Sequence, residues 1–434
     1  MKNLILSLIF YFIGFMGKDI SCPANSAAQE PRPKPSSGLS LDAAIAQALS
    51  RNRDLPVARE EAAITRGRLE QVRRYPFNPE MVIEGEAGYG KGRDPSTMED
   101  RRGLAGARIG LSQILEIRGQ RGLRTEVAQR DVARAEWEVR DTERETIADT
   151  MKAFSDLLIA QERLLLTREV ANLVTQFKET ADELARAGAV PELDGLRADV
   201  ERRRVLNRLT LEETAASAAR RTLALLIGAE PTVPLKVTGP ILFEPPPGKP
   251  EDLLNFARAN RPDLKAVEAT LDSSVASRSL TLAERFLPTI TLSAFYSQTE
   301  DFDAYNRRGI LGISTPLPIF NRRQGDVSAA EAAVRKHEAQ RVRLFARIEK
   351  EVATAAEQFA AARRVVEEFV ARILPAQEES VKMISEGYRL GEFRLTDALL
   401  AERDLFDTRS TYLEAISTYN SALAEIYRST GMRP

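Results

Sequence analysis

The stretch "STPLPIFNRRQGDV", Ser314 to Val327, alternates apolar residues up to Phe320, turns through two arginines and a glycine, and opens a long charged segment. About two hundred residues earlier, "LSQILEIRGQRGLR", Leu111 to Arg124, makes the same transition. A strand that twice hands over to a helix at a basic, glycine-marked corner points to a duplicated unit. A repeat of this length is a domain duplication, not a solenoid.

Other segments recur in the same order. "NRDL" (Asn52–Leu55) returns as "NRPDL" (Asn260–Leu264), and "PEMVIEGEAGYG" from Pro79 as "PTITLSAFYSQ" from Pro288. "RAGAVPELDGL" (Arg186–Leu196) returns as "RLGEFRLTDAL" (Arg389–Leu399), and Gly228 as Gly431. Each half reads helix, strand, strand, long helix, sharp turn, helix. The first repeat is expected over 40–228, with strands at about 79–92 and 102–116, a long helix at about 120–187 and a return helix at about 191–228. The second is expected over 251–431, with strands at about 288–299 and 308–319, a long helix at about 325–387 and a return helix at about 394–430. The proline-rich segment 229–250 joins the repeats and 29–39 leads into the first, both as extended connectors.

At the N-terminus Lys2 precedes "LILSLIFYFIGFM", an apolar run suited to an export signal and short for a transmembrane helix. Cleavage after "SAA" makes 1–28 a signal peptide; alternatively 1–21 is a lipoprotein signal and Cys22, the single cysteine, is acylated. In either case no disulfide forms within the chain. Charged residues make up 29% of the chain, yet the formal net charge is only -1, so no whole-protein field argues for nucleic acid as a partner.

In the first hairpin Met81, Ile83, Gly85 and Ala87 alternate with Val82, Glu84, Glu86 and Gly88; in the second Ile290, Leu292, Ala294 and Tyr296 alternate with Thr291, Ser293 and Phe295. Segments of about ten residues with this dyad pattern suit tilted strands between lipid and water, or a half-buried hairpin in a soluble domain. The helices favour the first reading. From Leu123 to Ala187 there is neither glycine nor proline, which at about 1.5 Å per residue allows a helix on the order of 100 Å. Apolar residues along Ile147, Met151, Phe154 and Leu158 keep the spacing of a coiled-coil seam. Four strands cannot close a barrel, so the chain is expected to oligomerise, three copies giving twelve strands. The arginines Arg118, Arg121, Arg124, Arg322 and Arg323 then mark the membrane boundary, as solvated or headgroup-contacting side chains.

These residues, above all "PLPIFNRRQGDVSAAEAAV" (Pro316–Val334) and the run from Ser385 to Ile426, resemble the outer-membrane efflux protein family, TolC-like and nearest its CzcC-type heavy-metal branch. The resemblance implies a mainly α protein with transmembrane β: a channel-tunnel with a trimeric twelve-stranded outer-membrane barrel and a periplasmic α-barrel of long coiled-coil helices. It implies a passive exit duct for divalent heavy-metal cations of the cobalt, zinc and cadmium type. The implied partners are two further copies, outer-membrane lipid, a periplasmic membrane-fusion adaptor and an inner-membrane pump of the resistance-nodulation-division type. A multidrug or type I secretion channel is the alternative within the class; a periplasmic coiled-coil adaptor or scaffold is the alternative outside it.

Carried over position by position, the family's periplasmic gate falls on Asp194 and Tyr388, with Leu193 and Phe393 where relatives have a polar link. Asp397 matches the first aspartate of the constricting ring, and Leu400 replaces the second. Asp194 and Asp397 also sit in first helical turns, where a carboxylate favours the dipole regardless of any gate. The adaptor is expected to contact Arg186, Gly188, Arg389, Leu390 and Gly391. Pro375 interrupts only the second long helix and predicts a kink. With His337 the single histidine, no metal site, cofactor or catalytic constellation is expected; carboxylates such as Glu84 and Glu86 are expected to favour cations in the lumen.

Overall fold

The computed structural model describes residues 38–88, 92–93, 100–101, 104–187, 191–230, 232–245, 250–285, 289–301, 304–390, 393 and 395–434. The signal-peptide and Cys22 expectations lie outside them. Each half begins with two short helices: α1 (Leu41–Arg51) and α2 (Asp54–Arg73) in the first, α5 (Pro250–Asn260) and α6 (Pro262–Ala283) in the second. Ser40 caps α1, its Oγ accepting the Ala43 N–H at 3.3 Å, and Pro262 opens α6 where no donor is needed.

The strands follow. β1 (Glu80–Gly88) and β4 (Leu104–Glu116) form the first hairpin, whose far end carries the two-residue pair β2 (Gly92–Arg93) and β3 (Asp100–Arg101). β5 (Thr289–Asp301) and β6 (Ala304–Ser314) form the second. All four long strands join one antiparallel sheet in the order β1-β4-β5-β6, so the two repeats meet at β4 and β5. β6 stops at Ser314, short of the expected 319, because Pro316 and Pro318 lack the N–H that a ladder needs.

Both strand-to-helix corners use one device. Gly119, at φ +71°, precedes α3 (Gln120–Arg186), and the Gln120 side chain turns back to accept the Arg118 N–H at 2.8 Å. Arg323, at φ 54°, precedes α7 (Gln324–Glu368), and Gln324 accepts the Arg322 N–H at 3.1 Å. A left-handed arginine costs roughly 1–2 kcal/mol relative to glycine. Its ion pair with Glu284 is the compensating contact. The basic corner is thus tied internally: Arg124 pairs with Glu116, and Arg121 Nε donates to the Arg73 carbonyl at 3.1 Å. Arg121, Arg124 and Arg323 thus make contacts within the chain, while Arg121 and Arg323 also stay exposed as expected of boundary residues.

α3 runs 67 residues without interruption and returns as α4 (Glu192–Leu226). The second long helix does not run straight through. After α7 comes a π-helical turn, Phe369–Ile373, then α8 (Leu374–Leu390) and the return helix α9 (Leu395–Thr430). The Leu374 N–H reaches back five residues to the Phe369 carbonyl, immediately before Pro375, whose ring would clash with the Ala371 carbonyl in a regular helix.

The main core lies where the short helices and the linker pack on the middle of the long ones. Met151, Phe154 and Leu157 of α3 meet Ala44 and Ala48 of α1, Leu223 near the end of α4, Phe243 of the linker, and Ile416 and Leu423 of α9. Asn420, fully buried, laces the linker down. Its side chain accepts the Phe243 N–H at 3.1 Å and donates to the Ile241 carbonyl at 2.7 Å and to Ser155 Oγ at 2.9 Å. A linker whose backbone groups are so satisfied is a packed part of the fold and more than a spacer.

Each return helix ends on a left-handed glycine, Gly228 at φ +66° and Gly431 at φ +76°. Two residues earlier, its carbonyl accepts a bond from the chain just before the second short helix. In the first repeat Asn52 Nδ2 donates to the Leu226 carbonyl at 3.2 Å. In the second Arg261 Nη1 donates to the Ser429 carbonyl at 3.0 Å, while Asp263 and Glu351 accept three further hydrogen bonds from it.

Candidate functional site

Register sorts the sheet into two faces. Met81 and Ile83 of β1 lie opposite Leu111 and Ile109 of β4; Ile109 lies opposite Tyr296 of β5, and Leu292 and Ala294 opposite Ile313 and Leu311 of β6. These side chains make a continuous apolar face across all four strands, and Leu311 is 88% and Ile313 77% exposed. Water does not reward such a face, whereas hydrocarbon does. Among the described residues no helix is long and apolar enough to cross a membrane.

The opposite face is mostly polar. One row across the sheet holds Glu84, Arg108, Ser297 and Arg308, and the next Glu86, Gly106, Thr299 and Asn306. Glu84 forms an ion pair with Arg108, so its charge is compensated on the neighbouring strand. Glu86, the second expected carboxylate, lies in the next row, and no ion pair is found for it among the described residues. Both outer strands, β1 and β6, present open edges within the chain.

The far ends of the helical hairpins form the second region of interest. Arg186 closes α3, its Nε donating to the Asp182 carbonyl at 3.2 Å. Gly195, one turn into α4, lets that helix approach α3: a Cβ there would lie 3.1 Å from Asp182 Oδ1. Lys178 pairs with Asp182, and Asp199 accepts from Arg203 at 2.8 Å and Arg202 at 2.9 Å. Those two hydrogen bonds hold the Asp199 carboxyl below its ordinary value. Leu193, Leu196 and Val200 leave an apolar stripe exposed beside this charged groove.

In the second hairpin Phe393 and Leu400 are exposed, and Asp397 occupies the first turn of α9. The Phe393 N–H donates to the Gly387 carbonyl at 3.4 Å. Asp194 lies in the first turn of α4 and Tyr388, Arg389 and Leu390 in the last turn of α8. The side chains of these four, and Gly188 and Gly391 altogether, lie outside the described residues, and so does the expected contact of Asp194 with Tyr388. His337 is not a ligand cluster member; its Nδ1 lies 2.8 Å from Gln340 Oε1 on the same helix. Among the described residues no group of histidine, cysteine, aspartate and glutamate gathers as metal ligands would.

A lipid-suited sheet on paired helical hairpins defines a class of membrane channel, and comparison with known proteins agrees. The chain belongs to the outer membrane efflux protein family, which it matches over residues 44–229 and 253–432, once per repeat. It is an outer-membrane efflux channel and not an enzyme. One relative is the cobalt-zinc-cadmium resistance protein CzcC of Cupriavidus metallidurans, 27% identical over 398 residues that cover 91% of this chain and 90% of CzcC. Among solved structures, the outer-membrane channel OprN superposes with a TM-score of 0.73 at 25% identity, covering 90% of this chain and 89% of OprN. CusC superposes with a TM-score of 0.71 at 20% identity, covering 96% and 99%.

Proposed function

We propose that three copies of this chain form the exit duct of a tripartite efflux system for divalent heavy-metal cations of the cobalt, zinc and cadmium type. The similarity to CzcC along nearly the full length of both chains carries the substrate class. Trimerisation follows from the open edges of β1 and β6: unpaired backbone groups are not tolerated in hydrocarbon, and three four-stranded sheets close a twelve-stranded barrel. The polar face then lines the lumen. The helical hairpins extend into the periplasm, where their tips engage a membrane-fusion adaptor fed by a resistance-nodulation-division pump. The charged groove at Asp182, Arg186, Asp199 and Arg203, with the apolar stripe of Leu193, Leu196 and Val200, suits such a contact. Asp194, Tyr388 and Asp397 are the proposed gate. The duct is passive, and metal choice resides in pump and adaptor.

Growth of a strain lacking the protein, on graded zinc, cobalt, cadmium, nickel and copper beside a panel of hydrophobic drugs, tests this reading. Selective sensitivity to metals is expected. Sensitivity to drugs alone would keep the channel and move it to multidrug efflux or secretion.

A further inference from the structure

One row of the lumenal face is apolar where its neighbours are polar: Val82, Gly110, Phe295 and Ile310 lie side by side across the four strands. An aromatic ring in that row has two places to go, out into the channel or flat against the wall. It lies against the wall. The position opposite Phe295 is Gly110, and a Cβ there would fall 2.1 Å from Phe295 Cδ1, so the ring occupies the space that any other residue would fill. The Arg108 guanidinium sits over the ring, its Cζ 4.7 Å from the centroid. Arg108 is itself pinned at its far end by Glu84. Its Nε is buried without a hydrogen-bond partner, as expected for a guanidinium committed to a ring face.

We propose that Glu84, Arg108 and Gly110 form a wall clamp that holds Phe295 out of the lumen and keeps the barrel section of the duct clear. This rests on the barrel reading above. Twelve strands spaced about 4.8 Å apart and tilted about 40° enclose an opening about 24 Å across at the backbone, and the lining side chains narrow it further. Three phenylalanines released into that opening obstruct it; three held flat do not. The Glu84–Arg108 pair is on this account a positioning device. Phe295 is the group it positions.

Purified, detergent-extracted wild-type protein, Phe295→Ala, Arg108→Gln and Arg108→Gln/Phe295→Ala are compared by single-channel conductance in planar bilayers. That readout counts only assembled channels, so a loss of folding yield does not imitate the effect. Both Arg108 variants lack the same charge, so their difference reports the ring alone. With the clamp intact, Phe295→Ala changes conductance little. Without it, Arg108→Gln conducts at least about 1.5-fold less than the double variant, the excess being the released ring. Glu84→Gln, which leaves the guanidinium but unpins it, gives an intermediate drop and serves if Arg108→Gln fails to insert. Equal conductance of Arg108→Gln and the double variant overturns the clamp while leaving the channel intact. Wild-type protein that forms no channel overturns the barrel reading and the clamp with it.

Discussion

The two repeats bury different side chains at the same corner. Asn52 and Arg261 each precede a helix that packs on the core, and each donates to the carbonyl two residues before a left-handed glycine. In the first repeat a neutral amide does this, its Oδ1 also accepting the Asp54 N–H at 2.7 Å. In the second a guanidinium does it at 1% exposure, which obliges Asp263 and Glu351 to surround it. Arg144 of α3 extends the cluster, donating to the Arg428 carbonyl and pairing with Asp141. A cation at a helix C-terminus gains from the dipole, but burial makes it dependent on every partner. One geometry thus supports two chemistries: the first corner is insensitive to charge, the second depends on it.

Breaking the charged corner is the most disruptive test of that contrast. Arg261→Ala removes the main partner of the largely buried Asp263, leaving it only Arg347 at 4.0 Å and the charge of Arg144, and is expected to cost about 3–5 kcal/mol, whereas Asn52→Ala, which strands the Leu226 carbonyl and the Asp54 N–H, costs about 1–3 kcal/mol. Urea unfolding of the detergent-extracted protein measures both. Equal losses would show that charge adds nothing at the second corner.

The glycines separate the corners in the opposite sense. A Cβ on Gly228 would lie 2.4 Å from the Arg51 carbonyl, while one on Gly431 would meet nothing closer than 3.8 Å. Gly431→Ala therefore carries only left-handed strain, about 1–2 kcal/mol, and Gly228→Ala adds a packing clash of about 1–3 kcal/mol. The same unfolding series gives the order, and a larger loss at Gly431 would contradict the close approach.

Acid sharpens the comparison further. Burial works to raise the Asp263 carboxyl, but the hydrogen bonds and charge of Arg261, with Arg144 beyond, outweigh it and hold it below the usual range. Such a group contributes stability above its unfolded value of about 3.9 and loses it as pH falls through the lower folded value. Asp141 has the opposite sign: burial raises it against the pull of Arg144, so its cost at neutral pH is relieved on moderate acidification. The unfolding midpoint should thus hold or rise slightly towards pH 4 and fall below it, and Asp263→Asn should flatten the fall. An unchanged acid limb in that variant would remove Asp263 from the account.

The two long helices differ more subtly. α3 is regular throughout, whereas the π turn at Phe369–Ile373 absorbs the missing donor of Pro375. Pro375→Ala is expected to change stability by less than about 1 kcal/mol while lowering conductance and export, if the turn is where the second hairpin bends. Unchanged conductance and export would leave the proline a tolerated irregularity.

Periodicity made the large features readable before any coordinates. The dyad pattern around Ile83 and Leu292 placed the strands, and the glycine-free run after Leu123 gave the long helix. What resisted reading was three-dimensional pairing. Matching "NRDL" to "NRPDL" aligned Asn52 with Asn260, but the inserted Pro262 moves the chain by one, and Arg261 takes the buried place. Glu84 read as a lumen charge because its partner Arg108 lies on another strand, and only register brings them together. The glutamines at 120 and 324 were visible at equivalent places in the two corners, yet their role depends on a left-handed residue that sequence does not display. Gly195 and Asn420 gave no local signal, since each acts across a contact between helices or with the linker. At the tips the proposed gate rests on resemblance, because spacing alone gives a first-turn aspartate a dipole role as readily as a gating one.

The most direct test of the account is the mass of the protein extracted in mild detergent from outer membranes. An assembly of three chains is predicted, since β1 and β6 each need a neighbouring copy to close the barrel. A single chain that remains folded in detergent with both sheet edges open would contradict it.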